Sequence, residues 1–356
     1  MQRFDLIDDL SPQALAAYDA IIDVRSPAEF AEDHVPGAIN LPVLDDAERA
    51  RVGTIYTQDS PFVARRLGAA IVSRNIAAHL ETALADRPKR FRPLIYCWRG
   101  GMRSNAMATV LASVGWKVSV VEGGYRTWRR QVVAALTHSE DPLPVVLIDG
   151  QTGTAKTDVL RRMAERGEQV IDLEGLAAHR GSVFGGFADA EQPAQKAFET
   201  AIWDALRRFD LDRPVFVEAE SSLVGRCRVP ARLWAAMKAA PRVEIVAPAA
   251  ARATYLVTAY PDMVADRDRV HAALDRLVDK HAKADIAEWR ALAEAGDHQG
   301  LAAALIDAHY DPAYDRSRKR RPPAVSERVE TDSLDAGAVD RLAAAIPGIA
   351  AGLPWR

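Results

Sequence analysis

Short unbroken apolar runs alternate along this chain with longer stretches in which apolar positions recur every three or four residues. The runs at 20–24, 93–96 and 117–121 are rich in Val, Ile and Leu, the pattern of strands buried on both faces. Around them, 12–19, 45–84, 105–114 and 127–136 carry helical periodicity. In 105–114, Met107, Val110, Leu111 and Val114 share one face, and Gly115 supplies a C-terminal stop. Residues 138–144, with two prolines among polar neighbours, read as a linker. The alternation then restarts, with strands predicted at 145–149, 170–173, 215–218 and 243–246 and helices at 158–166 and 193–208. Residues 249–305, rich in alanine and charge, predict a helical insertion, and 331–352 a final helix. Strands alternating with helices mean parallel sheets, so the fold class is α/β in both halves. The predicted domains are 1–137 and 145–356.

Composition narrows this picture only a little. A chain of 356 residues is long enough for two cores. The net charge of −3 gives no global attraction to nucleic acid, so any RNA-binding surface is a local patch. The two cysteines, Cys97 and Cys227, make neither a disulfide framework nor a zinc cluster, and no metal-ligand spacing is evident. The N-terminus lacks the basic and apolar regions of a signal peptide, and no apolar run approaches a membrane span. A cytoplasmic protein with no membrane partner is expected.

The first candidate site is the stretch that follows the run at 93–96. Cys97 ends the strand, Trp98-Arg99-Gly100-Gly101-Met102 form a tight loop, and Arg103 opens a helix. This order aims backbone N–H groups and the positive end of a helix dipole at the cysteine. Its pKa should fall below the free value of about 8.5, making a thiolate nucleophile. The Arg103 fork suits an anion seated in the loop. The plainer reading is a buried structural cysteine at a strand end. Paired glycines and an arginine are more than core packing requires.

Around this loop, Asp23-Val-Arg25-Ser-Pro-Ala-Glu-Phe30, His34-Val-Pro-Gly-Ala-Ile-Asn-Leu-Pro42 and Val121-Glu-Gly-Gly-Tyr125 resemble the flanking motifs of rhodanese sulfurtransferases. The resemblance implies a rhodanese-like first domain whose loop cysteine carries a persulfide or its selenium analogue. Five residues separate Cys97 from Arg103, where simple rhodaneses usually have four. The wider loop resembles that of the related cell-cycle phosphatases and suits a bulkier or tetrahedral group.

The second candidate site is Gly150-Gln-Thr-Gly153-Thr-Ala155-Lys156-Thr157, between a strand and a helix. It nearly matches the phosphate-cradling pattern, in which backbone N–H groups and a lysine surround phosphates and a hydroxyl holds Mg²⁺. Ala155 stands where glycine is expected. The plainer reading is an ordinary βα turn with a solvated lysine. Three further stretches are unusually polar: Asp172-Leu-Glu174 through His179, Arg180 and Ser182; Glu218, Glu220 and Ser221 just past a strand; and His309-Tyr310-Asp311 with Tyr314, running into Arg316, Arg318, Lys319, Arg320 and Arg321. Taken singly, each suits a strand-edge turn, solvated acids or a surface charge run.

Together, Asp-Leu-Glu-Gly, His-Arg-Gly-Ser, Val-Glu-x-Glu-Ser and His-Tyr-Asp-Pro-x-Tyr behind a rhodanese domain resemble the tRNA 2-selenouridine synthases over nearly the whole chain. The departures are Ala155, Ala219 in place of an acid and Ser222 in place of arginine. They bear on nucleotide hydrolysis, metal binding and one anion contact. The resemblance implies a P-loop NTPase-like second domain and a two-step change at a wobble 2-thiouridine of tRNA. Geranyl diphosphate first alkylates the sulfur, and selenium from selenophosphate then replaces it. No permanently bound cofactor is implied, Mg²⁺ is a candidate at Thr157, and the selenophosphate-supplying enzyme is a candidate partner. In this scheme Cys97 handles selenium, while Arg103 and the Gly100 and Gly101 amides hold the donor. Gly150, Gly153, Lys156 and Thr157 grip the diphosphate. Arg226, Arg228 and the 316–321 run meet the RNA backbone, and Tyr310 or Tyr314 stacks on a base. Two alternatives share the same motifs: an NTP-dependent tRNA sulfurtransferase, and a tRNA-binding protein with a degenerate P-loop.

Overall fold

The structure is a computed structural model that describes residues 4–182, 184–186, 190–320 and 325–355. Contacts divide it into two compact units. One runs to His138 and includes Lys196–Arg208, and the other comprises Ser139–Gln195 and the chain from Phe209 onward. The helix Gln195–Leu206, predicted between two strands of the second sheet, thus gives most of its length to the first unit.

In the first unit five strands, β1 (Asp5–Ile7), β2 (Ala20–Asp23), β3 (Ala38–Asn40), β4 (Pro93–Tyr96) and β5 (Ser119–Val121), form a parallel sheet in the order β1-β5-β4-β2-β3. β4 is central and wholly buried, which explains its continuous apolar run. The chain leaves β2 toward one edge and β4 toward the other, so the loop after β4 lies at the switch point where α/β folds place ligands. Helices Asp46–Gln58 and Pro61–Glu81 fill the excursion between β3 and β4. Asp45 caps the first of them by accepting from the Glu48 amide.

The second unit repeats this logic. Strands β6 (Val145–Asp149), β7 (Gln169–Ile171), β8 (Val215–Glu218), β9 (Leu223–Val224), β10 (Cys227–Arg228), β11 (Arg242–Val246) and β12 (Ser326–Glu330) include a five-stranded parallel sheet, ordered β12-β11-β6-β8-β7. β9 and β10 make a small antiparallel hairpin. The helix Lys156–Glu165 follows central β6, and Ala336–Ala350 closes the core over Val146, Ile148, Val159, Met163 and Ile245. The strand predicted at 170–173 ends at Ile171. Asp172 instead caps a short helix, Leu173–Leu176, by accepting from the Gly175 amide. Residues 249–305 are helical as predicted, with a core of their own around Trp289, Leu274, Leu277 and Leu301.

Candidate active sites

In the first unit, the chain around Cys97 is shaped by two clamps. Arg25 is buried and pairs with Asp23 at 2.6 Å, donates to the Asp33 carbonyl at 2.6 Å, and lies 4.1 Å from the Tyr125 ring centroid. The Asp-x-Arg pattern is therefore a buried ion pair, supported by a backbone carbonyl and an aromatic face. The second clamp is Gly124, at φ +63°, where an added Cβ would strike the Cys97 carbonyl and the Gly100 amide. Only glycine allows the 121–125 turn to lie against the cysteine loop. There the Tyr125 amide donates to the Cys97 carbonyl at 2.8 Å.

Cys97 itself is buried, with Sγ 3.2 Å from Ser104 Oγ and accepting from the Gly101 amide at 3.3 Å. Burial pushes the thiol up, but the Ser104 hydroxyl and the amides of Ser104, Gly101 and Arg99 outweigh it, holding the pKa below its ordinary value. The helix Met102–Val114 starts directly above, adding its positive end. The expected loop thus forms, with Ser104 as a contributor that the glycine–arginine pattern did not single out. Ser104→Ala should raise the thiol pKa. In iodoacetamide alkylation of Cys97 against pH, the inflection should move upward, and an unmoved inflection would assign the shift to backbone amides alone.

Arg103 has a partner of its own. Its guanidinium donates to Glu29 at 2.7 Å, and Glu29 in turn forms the capping box with Ser26. Burial pushes Glu29 up, yet Arg103, Arg49 and the Ser26 amide leave its pKa below the ordinary carboxylate value. Arg103 therefore ties the 23–30 motif to the start of the cysteine helix. Arg99 is exposed, with no ion pair among the described residues, and Met102 is 75 % exposed. Trp98 packs 5.3 Å from Tyr125, with Lys196 Nζ 6.0 Å from its centroid. Cys227 lacks such a setting: it is buried, donates to the Pro193 carbonyl at 3.6 Å, and is pushed up by burial.

In the second unit, the phosphate-type loop joins β6 to the helix at 156. Gly153 takes φ +85°, and an added Cβ would lie 3.0 Å from the Arg252 carbonyl. Ala155 adopts the left-handed conformation usually left to glycine, at φ 58°, with its methyl buried in the core. The strain is on the order of 1–2 kcal/mol, and burying the methyl offsets part of it. The substitution thus preserves the loop's shape. Lys156 Nζ donates to the Gly150 and Gln151 carbonyls at 2.8 and 3.2 Å, curled over the mouth of the loop. Behind the loop, Arg252 donates to the Thr152 carbonyl at 3.2 Å and forms a two-pronged pair with Asp311 at 2.8 Å. Asp311 is therefore a strut. Arg252, a lone cation in an alanine-rich helix, carried no signal in the sequence.

Beside the loop stand the predicted acids. Thr157 Oγ1 donates to Glu174 at 2.8 Å, and the Glu174 amide donates to Glu218 at 2.6 Å. Burial and the Glu220 charge push Glu174 up to about 7, and burial with Asp172 and Glu174 pushes Glu218 well up. Glu218 Oε2 is buried without a hydrogen-bond partner among the described residues. Glu174 and Glu218 are therefore not solvated surface acids, and the surroundings of Glu218 favour its neutral form. Among the described residues, no three acidic, His or Cys side chains converge as a metal cluster. Thr157 and Glu174 are the groups that suit a magnesium held mainly by phosphate oxygens.

A cavity of 330 Å³ over the loop gathers Gly153, Lys156, Thr157, Glu174, Arg180, Ser182, Glu220 and Tyr310. The other expected residues do not line it. Gly150 does not line the cavity: its amide donates to Asp149 at 2.8 Å and its carbonyl accepts from Lys156. Asp172 holds Arg161 at 3.1 Å, Ser221 Oγ donates to the Leu223 carbonyl at 2.5 Å, and His179 accepts from the Gly181 amide at 3.0 Å. His309 bonds His281 at 2.9 Å. The Tyr314 hydroxyl donates to Asp149 at 3.1 Å. Tyr314 and Ser221 line a separate cavity of 380 Å³ with Trp234, Lys238 and Arg242, and Glu220 borders both cavities. In the basic run, Arg316 and Lys319 are exposed, whereas Arg318 is held by Glu244. The Arg320 side chain and Arg321 lie outside the described residues. Arg228 is exposed, and Arg226 donates to the Gln192 carbonyl.

An activated thiol in a glycine-rich loop and a phosphate loop over a polar cavity define a two-domain transferase that couples a rhodanese-type unit to a P-loop unit. Two family models match accordingly, the Rhodanese-like domain over residues 6–131 and the tRNA 2-selenouridine synthase AAA domain over 143–276. A tRNA 2-selenouridine synthase of Alcanivorax borkumensis is 32 % identical over 334 residues, covering 85 % of this chain and 90 % of its own length. That of Shewanella sediminis is 34 % identical over 243 residues, covering 67 % of this chain and 64 % of its own, and that of Hahella chejuensis is 38 % identical over 229 residues, covering 63 % and 59 %. The chain belongs to the tRNA 2-selenouridine synthase family, a family of tRNA-modifying transferases. Among the described residues, no helix is long and apolar enough to cross a membrane.

Proposed function

We propose that this protein exchanges the sulfur of a tRNA wobble 2-thiouridine for selenium in two steps, one at each site. In the first, the thiocarbonyl sulfur attacks the geranyl C1 of geranyl diphosphate. The new C–S bond forms as the C–O bond breaks and diphosphate leaves. Lys156 and the loop amides meet the charge that develops on the departing oxygen. A magnesium arriving with the diphosphate would be held by Thr157 and Glu174 and would neutralise part of that charge. In the second, the P–Se bond of selenophosphate is cleaved beside Cys97, with water taking the phosphoryl group as phosphate. The selenide adds to C2 of the geranylated base, and the C2–Se bond forms as the C2–S bond breaks and geranyl thiol leaves. The domains follow the same division, with the thiol in a first domain over 1–137 and the phosphate loop in a second over 145–356. The observation that carries this reading is the coexistence of a thiol held below its ordinary pKa and a lysine poised over a phosphate loop. Both lie in a chain of the selenouridine synthase family.

The reaction places the protein with cytoplasmic tRNA. Arg316 and Lys319 are then the exposed cations best suited to the phosphate backbone. Arg316→Ala with Lys319→Ala should weaken binding to all tRNAs alike and flatten the log–log salt dependence by roughly 0.7 per lost phosphate contact. An unchanged salt slope would put the RNA surface elsewhere. The proposal as a whole is tested by mass analysis of wobble nucleosides from cells with and without the chain. Loss of both geranylated and selenated uridine on deletion is expected, and an unchanged profile would refute it.

A further inference from the structure

The helix Gln195–Leu206 lies beyond the 1–137 stretch predicted as the first domain, yet from Lys196 onward it belongs to the first unit. Its Thr200 reaches Asp33, a buried acid that directly precedes the His34-Val-Pro-Gly motif. Asp33 Oδ2 accepts from the Thr200 hydroxyl at 2.9 Å and from the Tyr125 hydroxyl at 2.6 Å. The Asp33 backbone carbonyl accepts from Arg25 at 2.6 Å. One residue thus ties together Arg25 and the 121–125 turn, the two clamps on the cysteine loop. Tyr125 also packs against Trp98 and gives its amide to the Cys97 carbonyl. Burying an acid is costly unless hydrogen bonds satisfy it, so packing alone would favour an apolar residue at position 33.

We infer that Asp33 and Thr200 are positioning residues of the thiol site, through which the helix Gln195–Leu206 sets the cysteine loop. The path is short. Thr200 orients the Asp33 carboxyl, Asp33 fixes the Tyr125 side chain, and the Tyr125 amide fixes the Cys97 carbonyl. Ser104 and the Arg99, Gly101 and Ser104 amides hold the thiol below its ordinary pKa. They aim at Sγ only while that backbone stays in place. Among the described residues neither Asp33 nor Thr200 bonds the thiol, so both act through Tyr125. The loop that follows β4 is thus supported by a segment that follows β7 in the sequence. The inference rests on Cys97 as the reactive thiol of the proposed second step, and adds the residues that keep it in register.

The test is iodoacetamide alkylation of Cys97 against pH in the full chain, read by peptide mass, beside selenium-75 transfer to tRNA. Thr200→Val keeps the shape and removes the hydroxyl, whereas Thr200→Ser keeps the hydroxyl. A displacement of about 1 Å at a reacting group can cost roughly 10²-fold, so Thr200→Val should slow selenium transfer about tenfold. It should also move the alkylation inflection upward, and Thr200→Ser should restore both to the wild-type values. Tyr125→Phe removes the other donor to Asp33 and leaves the helix untouched. It should move the inflection the same way, and it carries the test if Thr200→Val unfolds. An unmoved inflection in folded Thr200→Val or in Tyr125→Phe, or equal losses in Thr200→Ser and Thr200→Val, would overturn the inference and leave the helix as packing alone. Alkylation reads the thiol itself. Should Cys97→Ser retain selenium incorporation, the proposed second step falls while the pH shift still decides the positioning role.

Discussion

Replacing Lys156 with alanine is expected to slow alkylation of 2-thiouridine tRNA by about 10²–10³-fold, or roughly 3–4 kcal/mol of transition-state stabilisation. The ammonium already lies against the Gly150 and Gln151 carbonyls, at the mouth of the loop where the outer phosphate would sit. Charge grows on the diphosphate only as the C–O bond breaks, so the loss should fall on the rate constant more than on donor binding. Fold and RNA affinity should be spared, because Lys156 is only half-buried and, among the described residues, bonds no side chain outside its own loop. Single-turnover alkylation at saturating geranyl diphosphate measures the effect, and a rate within about threefold of wild type would remove Lys156 from the chemistry.

Cys97→Ser should abolish selenium incorporation. The serine hydroxyl fits the same bonds to Ser104 and the Gly101 amide, so the loop should hold its shape. Those bonds bring a thiol below its ordinary pKa of about 8.5, but an alcohol lies too far above neutrality for the same groups to ionise it. Cys227→Ser should leave incorporation intact, since burial pushes that thiol up and no glycine loop surrounds it. Selenium-75 transfer to tRNA by the two variants measures both. Incorporation at the wild-type rate by Cys97→Ser would make Cys97 structural.

Much of this was legible in the sequence because the central strands are apolar throughout. Pro93–Tyr96 and Val215–Glu218 fall where their patterns predict, and the loops that follow them carry the chemistry. Not every edge strand was legible. Asp5–Ile7 and Ser326–Glu330 are short and largely exposed, so solvent permits charges that break the alternation. Periodicity gives the helix Gln195–Leu206 its apolar face but does not say which core covers it. Thr200 bonds Asp33, and Trp128 donates to Thr200, joining residues more than 70 positions apart. Motif spacing located Arg103 and Asp311 but not their partners. Glu29 and Arg252 come from distant segments and convert two apparent ligand contacts into supports for the loops.

The central claim, that each site performs one step, is tested most directly by four rates. Lys156→Ala and Cys97→Ser are each supplied with 2-thiouridine tRNA and with pre-geranylated tRNA, and the nucleosides are quantified. Lys156→Ala should fail on the thiolated substrate and selenate the geranylated one at close to the wild-type rate. Cys97→Ser should geranylate the thiolated substrate and accumulate that product without selenating it. Equal failure of Lys156→Ala on both substrates, with tRNA binding intact, would contradict the division of labour, as would normal geranylation by that variant.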